Sequence, residues 1–446
     1  MPSLNRHPLA AAAAFTALMW ASLAQAGTVT VVTSFPKELT QTYKTAFEKA
    51  NPDIKLEVLN KNTVQSIAYV RELPVGQRPD VFWASAPDAF EVMAKQKLLA
   101  KSADLANKNA PKTVGQYPIN DPNGYYLGQA LAGYGLMWNT RYFAAHKLPA
   151  PKQWSDLVKP VYFSHVAISS PSRSGTTHLT VETMLQGEGW DKGWSQLLQI
   201  AGNCAAVTER SFGVPDGVNN GQFGVGLVID FFGLAGKYSG FPVEFIYPDV
   251  TAIVPANIAL VEGGKNTAEA RKFIAFTVSQ EGQRLLYDPK ISRLPILPPA
   301  AMGVAAPAGY PNAFQIASRA RVKFNSELSE QRYNVVSSMF DQTITYRLKE
   351  LQAATQAIQA AEALQARKPN AAAGELIKQA RDLAYSPIVD AQLAGQPSFH
   401  ELFSANKKQA GVNKQITALE DRWSTKARAN YEQARDLAEQ ASAKLR

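Results

Sequence analysis

The 446-residue chain carries 46 Lys and Arg against 37 Asp and Glu, a formal charge of +9. That excess is spread along the chain without a basic cluster, which argues against nucleic acid as a partner and leaves a mild preference for anionic ligands. Cys204 is the single cysteine, so an intramolecular disulfide is excluded, while a hydrophobic fraction of 46% permits a core large enough for two or three domains.

Residues 1–26 read as a secretory leader. Arg6 and His7 precede an apolar run over residues 9–23, and Ala24-Gln25-Ala26 supplies a small-x-small cleavage pattern, making Gly27 the expected first mature residue. The run is short for a bilayer span of about 20 residues, and no Cys stands at the cleavage point to take a lipid. A soluble periplasmic protein, not embedded in the membrane, is the expectation. From residue 28 strands and helices alternate. Residues 28–33 and 54–59 are apolar strands, and Leu39, Tyr43 and Phe47 between them keep helical spacing up to the Asn51-Pro52 stop. A helix around 64–72 leads to the strand 81–84, which ends at Ser85 before Pro87 opens another helix. A long apolar run covers 130–139, and a second alternation starts at residue 166. It includes a helix over 190–201, strands over 205–208, 224–229, 243–247 and 251–261, and helices up to residue 286. Such alternation predicts a parallel α/β sheet with ligands at the carboxyl ends of its strands. Ser34 and Ser85 stand at such ends.

The most informative stretch is Ser169-Ser170-Pro171-Ser172-Arg173-Ser174-Gly175-Thr176-Thr177-His178. It leaves the strand 166–168 and enters a helix through Leu179, Val181, Met184 and Leu185. Free N–H groups and the helix dipole favour an anion at such a junction, and Arg173 adds a bidentate fork for phosphate or carboxylate oxygens. Ser172, Arg173, Ser174, Gly175 and Thr176 are therefore candidate contacts, although the same residues also make an ordinary cap and turn. Arg210 and Ser211 form a second such junction, where an arginine is equally at home in a surface ion pair. Asp230 ends the strand 224–229, either as a hinge hydrogen-bonding residue or as a ligand contact; its charge would repel an anion unless paired. Phe35, Phe231 and Phe232 fit a core or a cleft wall, His178 reads as a packing residue, and Cys204 as a buried small hydrophobe. Neither G-x-S-x-G nor a His/Asp cluster is present, so an enzyme is not expected. Beyond Pro311 the chain turns helical. Phe340, Ile344, Leu348, Leu351, Thr355 and Ile358 recur at spacings of three and four, as do Ile416, Leu419, Trp423, Tyr431, Ala434 and Leu437.

Asp80-Val81-Phe82, Trp154-Ser155-Asp156-Leu157 with Lys159-Pro160, and the run from Ala268 through Phe276 to Gln283, taken in that order, resemble the two-lobed periplasmic solute-binding proteins over roughly residues 28–300. The resemblance implies a type II periplasmic binding protein fold, α/β, with a C-terminal α-helical extension. It divides the chain into lobe 1 (27–135 with 250–300), lobe 2 (136–249) and the extension (301–446), with crossings near 131–139 and 247–255. Many members hold ferric iron through a tyrosine pair, a histidine and an acidic residue. Here Phe231 and Phe232 occupy the tyrosine positions and Ser85 the acidic one, and phenyl rings offer nothing to a hard cation, so neither a metal nor another cofactor is expected. The Ser-Ser-Pro-Ser-Arg-Ser run, with Thr176, His178, Leu179, Val181 and Glu182, and Arg210-Ser211-Phe212-Gly213-Val214 resemble more closely the phosphoglycerate transport regulatory family. Gly175 departs from that family, where a polar residue is expected. This resemblance implies a receptor for a small anionic, phosphoglycerate-like ligand that signals occupancy to an inner-membrane sensor kinase controlling uptake. The alternative is the substrate-binding component of an ABC importer for a phosphate ester or phosphonate, with an ABC permease as partner.

Overall fold

The computed structural model describes residues 27–404 and 410–446, so the expected leader lies outside the described residues. Apolar strands assemble a mixed sheet in the order Ile54–Asn60, Gly27–Thr33, Val81–Ala84, Ile253–Val261, Leu127–Asn139, Val225–Ile229, Val166–Ser169, Cys204–Thr208. The first three run parallel to one another, and so do the last three. The two long strands between them are antiparallel to each other and to their outer neighbours. Two α/β lobes thus flank Leu127–Asn139, of which the apolar run 130–139 is the larger part.

That strand changes partner at its middle. Residues 127–133 pair with Ile253–Val261 and residues 134–138 with Val225–Ile229. At the change, side chains take over backbone bonding from the ladder. Asp230 Oδ2 accepts the Gly133 N–H at 2.8 Å, and Thr251 Oγ1 donates to the Tyr134 carbonyl at 2.7 Å.

Each lobe has its own apolar filling. In the first, Leu39, Tyr43 and Phe47 line one face of the helix Lys37–Ala50, and Tyr43 and Phe47 meet Trp83 and Phe273 edge-on with centroids 5.1 and 5.2 Å apart. In the second, the helix Trp190–Gly202 buries Trp194, Leu197 and Leu198. Cys204 follows it, wholly buried, with its thiol 3.5 Å from the Ile200 carbonyl and its pKa pushed up by burial.

The tail is built mainly from four helices, Ser326–Thr343, Leu348–Arg367, Ala371–Tyr385 and Ala410–Leu445. The spacing of Phe340 through Ile358 predicts one continuous helix, but the chain breaks at Ile344 and makes a tight turn over Thr345–Arg347. Thr345 Oγ1 turns back to Asp341 Oδ1 at 2.7 Å, and Asp341 is itself held by the second lobe. Ile416, Trp423, Tyr431 and Ala434 are buried in the tail core, where the Tyr431 hydroxyl reaches the Thr343 carbonyl at 2.9 Å. The tail then docks on the second lobe. Trp190 Nε1 donates to the Val389 carbonyl at 2.8 Å, Gln359 to Asn203 Oδ1 at 2.9 Å, and Gln352 to the Cys204 carbonyl. Among the described residues no helix is long and apolar enough to cross a membrane.

Candidate functional site

The lobes close on a cavity of about 20 Å³. Ser34, Phe35 and Thr63 line it from one side; Arg173, Ser174, Thr176, Arg210, Ser211, Phe231 and Phe232 line it from the other. It meets a larger cavity of about 540 Å³ at Pro36, Phe231 and Phe232, three residues that line both. The larger one also takes in Asn60, Lys290 and Arg293.

Local structure aims these groups. Ser34 and Phe35 follow the end of the strand Gly27–Thr33, and Phe35 N–H is held by Thr33 Oγ1 at 3.0 Å. Ser174 caps the helix Gly175–Glu188, its Oγ accepting Thr177 N–H at 3.2 Å and lying 2.7 Å from Thr176 Oγ1. The capping role and a place in the cavity lining therefore coexist in one residue. Arg173 pairs with the exposed Glu209 at 2.9 Å. Arg210 reaches Asn60 Oδ1 at 3.4 Å and lies over the Phe212 ring, with burial lowering its pKa. At Gly175 the lobes approach closely: a Cβ there would sit 2.9 Å from Thr63 Oγ1 and 3.0 Å from Ala86 Cβ.

Four candidates lie off the cavity lining: Gly175, at the lobe contact just described, and Ser172, Asp230 and Ser85. Ser172 turns away, because its hydroxyl donates to Asp341 Oδ2 at 2.6 Å, beside Ser170, which donates to Asp341 Oδ1 at 2.7 Å. The loop that presents Arg173 and Ser174 is thereby tied to the tail. Asp230 is fully buried at the strand crossing, where it accepts N–H bonds from Gly133 and Phe231 and the Tyr247 hydroxyl at 2.9 Å. Burial outweighs those donors and raises its pKa to about 7. Ser85 is buried, with Oγ 3.1 Å from Arg293 Nη1.

Arg293 is the residue that sequence reasoning missed. It is 2% exposed, and its guanidinium carbon lies 4.0 Å from the Phe35 ring centroid and 3.6 Å from that of Phe231. Burial lowers its pKa to about 9. The only local signal is a cation at the head of the apolar run Leu294 to Leu297.

Beside the closed cleft a second polar cluster joins three elements. His178 Nε2, on Gly175–Glu188, lies 3.1 Å from Ser329 Oγ and 3.4 Å from Asp88 Oδ2, and the Ser329 hydroxyl donates to Asp88 Oδ2 at 3.1 Å. Asp88 belongs to the helix Pro87–Lys95 and Ser329 to the tail helix Ser326–Thr343. Burial lowers His178 to about 3 and raises Asp88 to about 7. One turn along, Arg332 of the tail pairs with the buried Glu182 at 2.6 Å.

Comparison with known proteins agrees with this architecture. Residues 76–325 match the family described as bacterial extracellular solute-binding protein. A phosphoglycerate transport regulatory protein of Salmonella typhimurium, PgtC, is 32% identical over 69% of this chain and 75% of its own length. Among solved structures, the periplasmic binding protein AfuA of Actinobacillus pleuropneumoniae, described with exogenous fructose-6-phosphate bound, superposes with a TM-score of 0.62 at 17% identity, covering 71% of this chain and 98% of that one. The substrate-binding protein of an ABC transporter from Agrobacterium tumefaciens gives 0.58 at 17% identity, over 71% and 96%. The chain is a member of the bacterial extracellular solute-binding proteins, with the two-lobed fold of the periplasmic binding proteins, and a relative of the phosphoglycerate transport regulatory protein.

Proposed function

We propose that the protein is a periplasmic receptor for a small phosphorylated organic acid of the phosphoglycerate type, and that it reports occupancy to an inner-membrane sensor kinase. The observation that carries the ligand class is the composition of the inter-lobe cavity. The hydroxyls of Ser34, Thr63, Thr176 and Ser211 and the guanidinium groups of Arg173 and Arg210 come from both lobes to one place at a helix N-terminus. Hydroxyl donors and forked cations are the chemistry that holds phosphate oxygens. Phe231 and Phe232 wall the same place with carbon, which suits a short organic backbone and gives Fe(III) no ligand atom. The relative's involvement in phosphoglycerate transport regulation points to the same ligand class. The tie from the ligand loop to Asp341 supports the signalling half, since it gives the tail a contact with the loop.

Titration calorimetry of mature protein with 2- and 3-phosphoglycerate should show saturable binding, and Arg173→Ala should weaken it by about 1.5–3 kcal/mol, the range for hydrogen bonds to charged groups. Glycerate binding as tightly as its phosphate ester would sink the phosphate reading. A strain lacking the protein separates the two partners. Transport genes that stay uninduced, with uptake restored by their constitutive expression, indicate the sensor kinase. Uptake that stays lost indicates the ABC permease.

A further inference from the structure

We propose that Arg293 is the carboxylate anchor of the ligand site, so that the ligand is held at both ends: phosphate among Arg173, Arg210 and the hydroxyls, carboxylate on the buried guanidinium. This rests on the reading above and adds the second recognition element to it.

Arg293 carries a buried charge with no hydrogen-bonded counter-ion. Arg293 is buried, yet it forms no ion pair within 4.0 Å among the described residues; its Nη1 has only the Ser85 hydroxyl and its Nη2 has no acceptor. A buried ion costs several kcal/mol in desolvation even after relaxation. The rings of Phe35 and Phe231 offset part of that cost as cation–π partners but supply no counter-charge. Asp230 is the one carboxylate that acts on Arg293 electrostatically, and its oxygens are already committed to Gly133, Phe231 and Tyr247. The backbone next to Arg293 is strained as well. Ser292 is a non-glycine residue at φ 43°, a left-handed conformation that side chains disfavour. A fold that buries a cation with Asp230 attracting it from a distance but no anion hydrogen-bonded to it, on a strained peptide, beside a cavity, has the form of a site completed by its ligand.

Geometry selects the ligand group. The two rings cover the guanidinium and Ser85 takes Nη1, which leaves Nη2 buried and without an acceptor. An arginine fork holds carboxylate and phosphate alike, so what assigns the carboxylate to Arg293 is that the phosphate has other donors, from several directions. Those donors line the smaller cavity, which at about 20 Å³ has room for one water and must widen to admit a phosphate, and Phe231 belongs both to its wall and to the arginine sandwich.

The experiment compares 3-phosphoglycerate with glycerol 3-phosphate, which lacks the carboxylate, by calorimetry on wild type, Arg293→Met and Arg293→Lys. Wild type should prefer 3-phosphoglycerate. Arg293→Met should lose that preference by at least about tenfold, since a charged hydrogen bond of ~1.5–3 kcal/mol corresponds to one to two decades, and should bind glycerol 3-phosphate as wild type does. Arg293→Lys, which keeps the charge without the planar fork, should fall between them. Ligand-free Arg293→Met should melt no lower than wild type, because it removes an unpaired buried charge. Equal losses for both ligands, an unchanged preference in both variants, or a ligand-free Arg293→Met that fails to fold would overturn the assignment in favour of a structural arginine. A wild type that binds both ligands equally overturns it while leaving the phosphate reading intact. A wild type that binds neither removes the phosphate reading, and the anchor with it.

Discussion

Gly175 shows how a single missing side chain can set the closed state. Read from the sequence, a glycine in place of a polar residue suggests loosened ligand choice. In the structure its Cα faces Thr63 and Ala86, and any Cβ would meet both at 3.0 Å or less. The residue is small because the lobes touch there. Gly175→Val should therefore hold the lobes apart, weakening ligand binding at least about tenfold, since overpacking costs ~1–3 kcal/mol. Small-angle scattering with ligand should give a larger radius of gyration than wild type; an unchanged radius and affinity would show that the contact yields easily. Arg173, Ser174 and Arg210 were legible as anion-site candidates because capping residues and arginines at strand-to-helix junctions carry a local signature. Arg293 was not, since its meaning comes from Phe35 and Phe231, which are remote in sequence, and from the lack of a partner.

Among the elements, the helix Gly175–Glu188 is packed on nearly every side, which its sequence did not announce. His178, Thr180, Glu182 and Thr183 are buried as fully as Leu179 and Val181. The polar face that would ordinarily meet solvent meets the tail helix Ser326–Thr343 instead. A helical period locates the apolar stripe but cannot say that a later helix will cover the opposite face. Asp88, at the first turn of its own helix, shares this junction and has a definite acid–base consequence. Its pKa rises from about 3.9 unfolded to about 7 folded, so the folded state keeps a proton that the unfolded chain releases. The stability this contributes is complete below about pH 4 and is lost as pH rises through about 7. His178 runs the other way: folded at about 3 against about 6.5 unfolded, its contribution is present above about 6.5 and is lost on acidification. Asp88→Asn should level the fall in urea midpoint between about pH 4 and 6.5, where the opposing contributions of Asp230 and His178 then cancel, and leave only the loss from Asp230 as pH rises through about 7. An unaltered slope would mean that Asp88 does not hold the proton.

At the scale of the whole molecule, strand–helix alternation made the two α/β lobes readable, because strands buried on both faces leave continuous apolar runs. The order of the tail helices and their seat on the second lobe were not readable, since amphipathic helices fit many partners equally well from sequence. That seat gives Cys204 a use as a clock. The thiol begins the strand Cys204–Thr208, wholly buried, and its carbonyl is covered by Gln352 of the tail. A thiol reagent can reach it only in molecules whose second lobe has opened, so the labelling rate measures how often that opening occurs. With no other cysteine in the chain, nothing else contributes to the signal. Arg332→Ala leaves Glu182 as an unpaired buried charge, a loss of ~3–5 kcal/mol. If the tail holds the lobe shut, the variant should label at least about a hundredfold faster than wild type, and equal rates would show that the tail merely rests upon it.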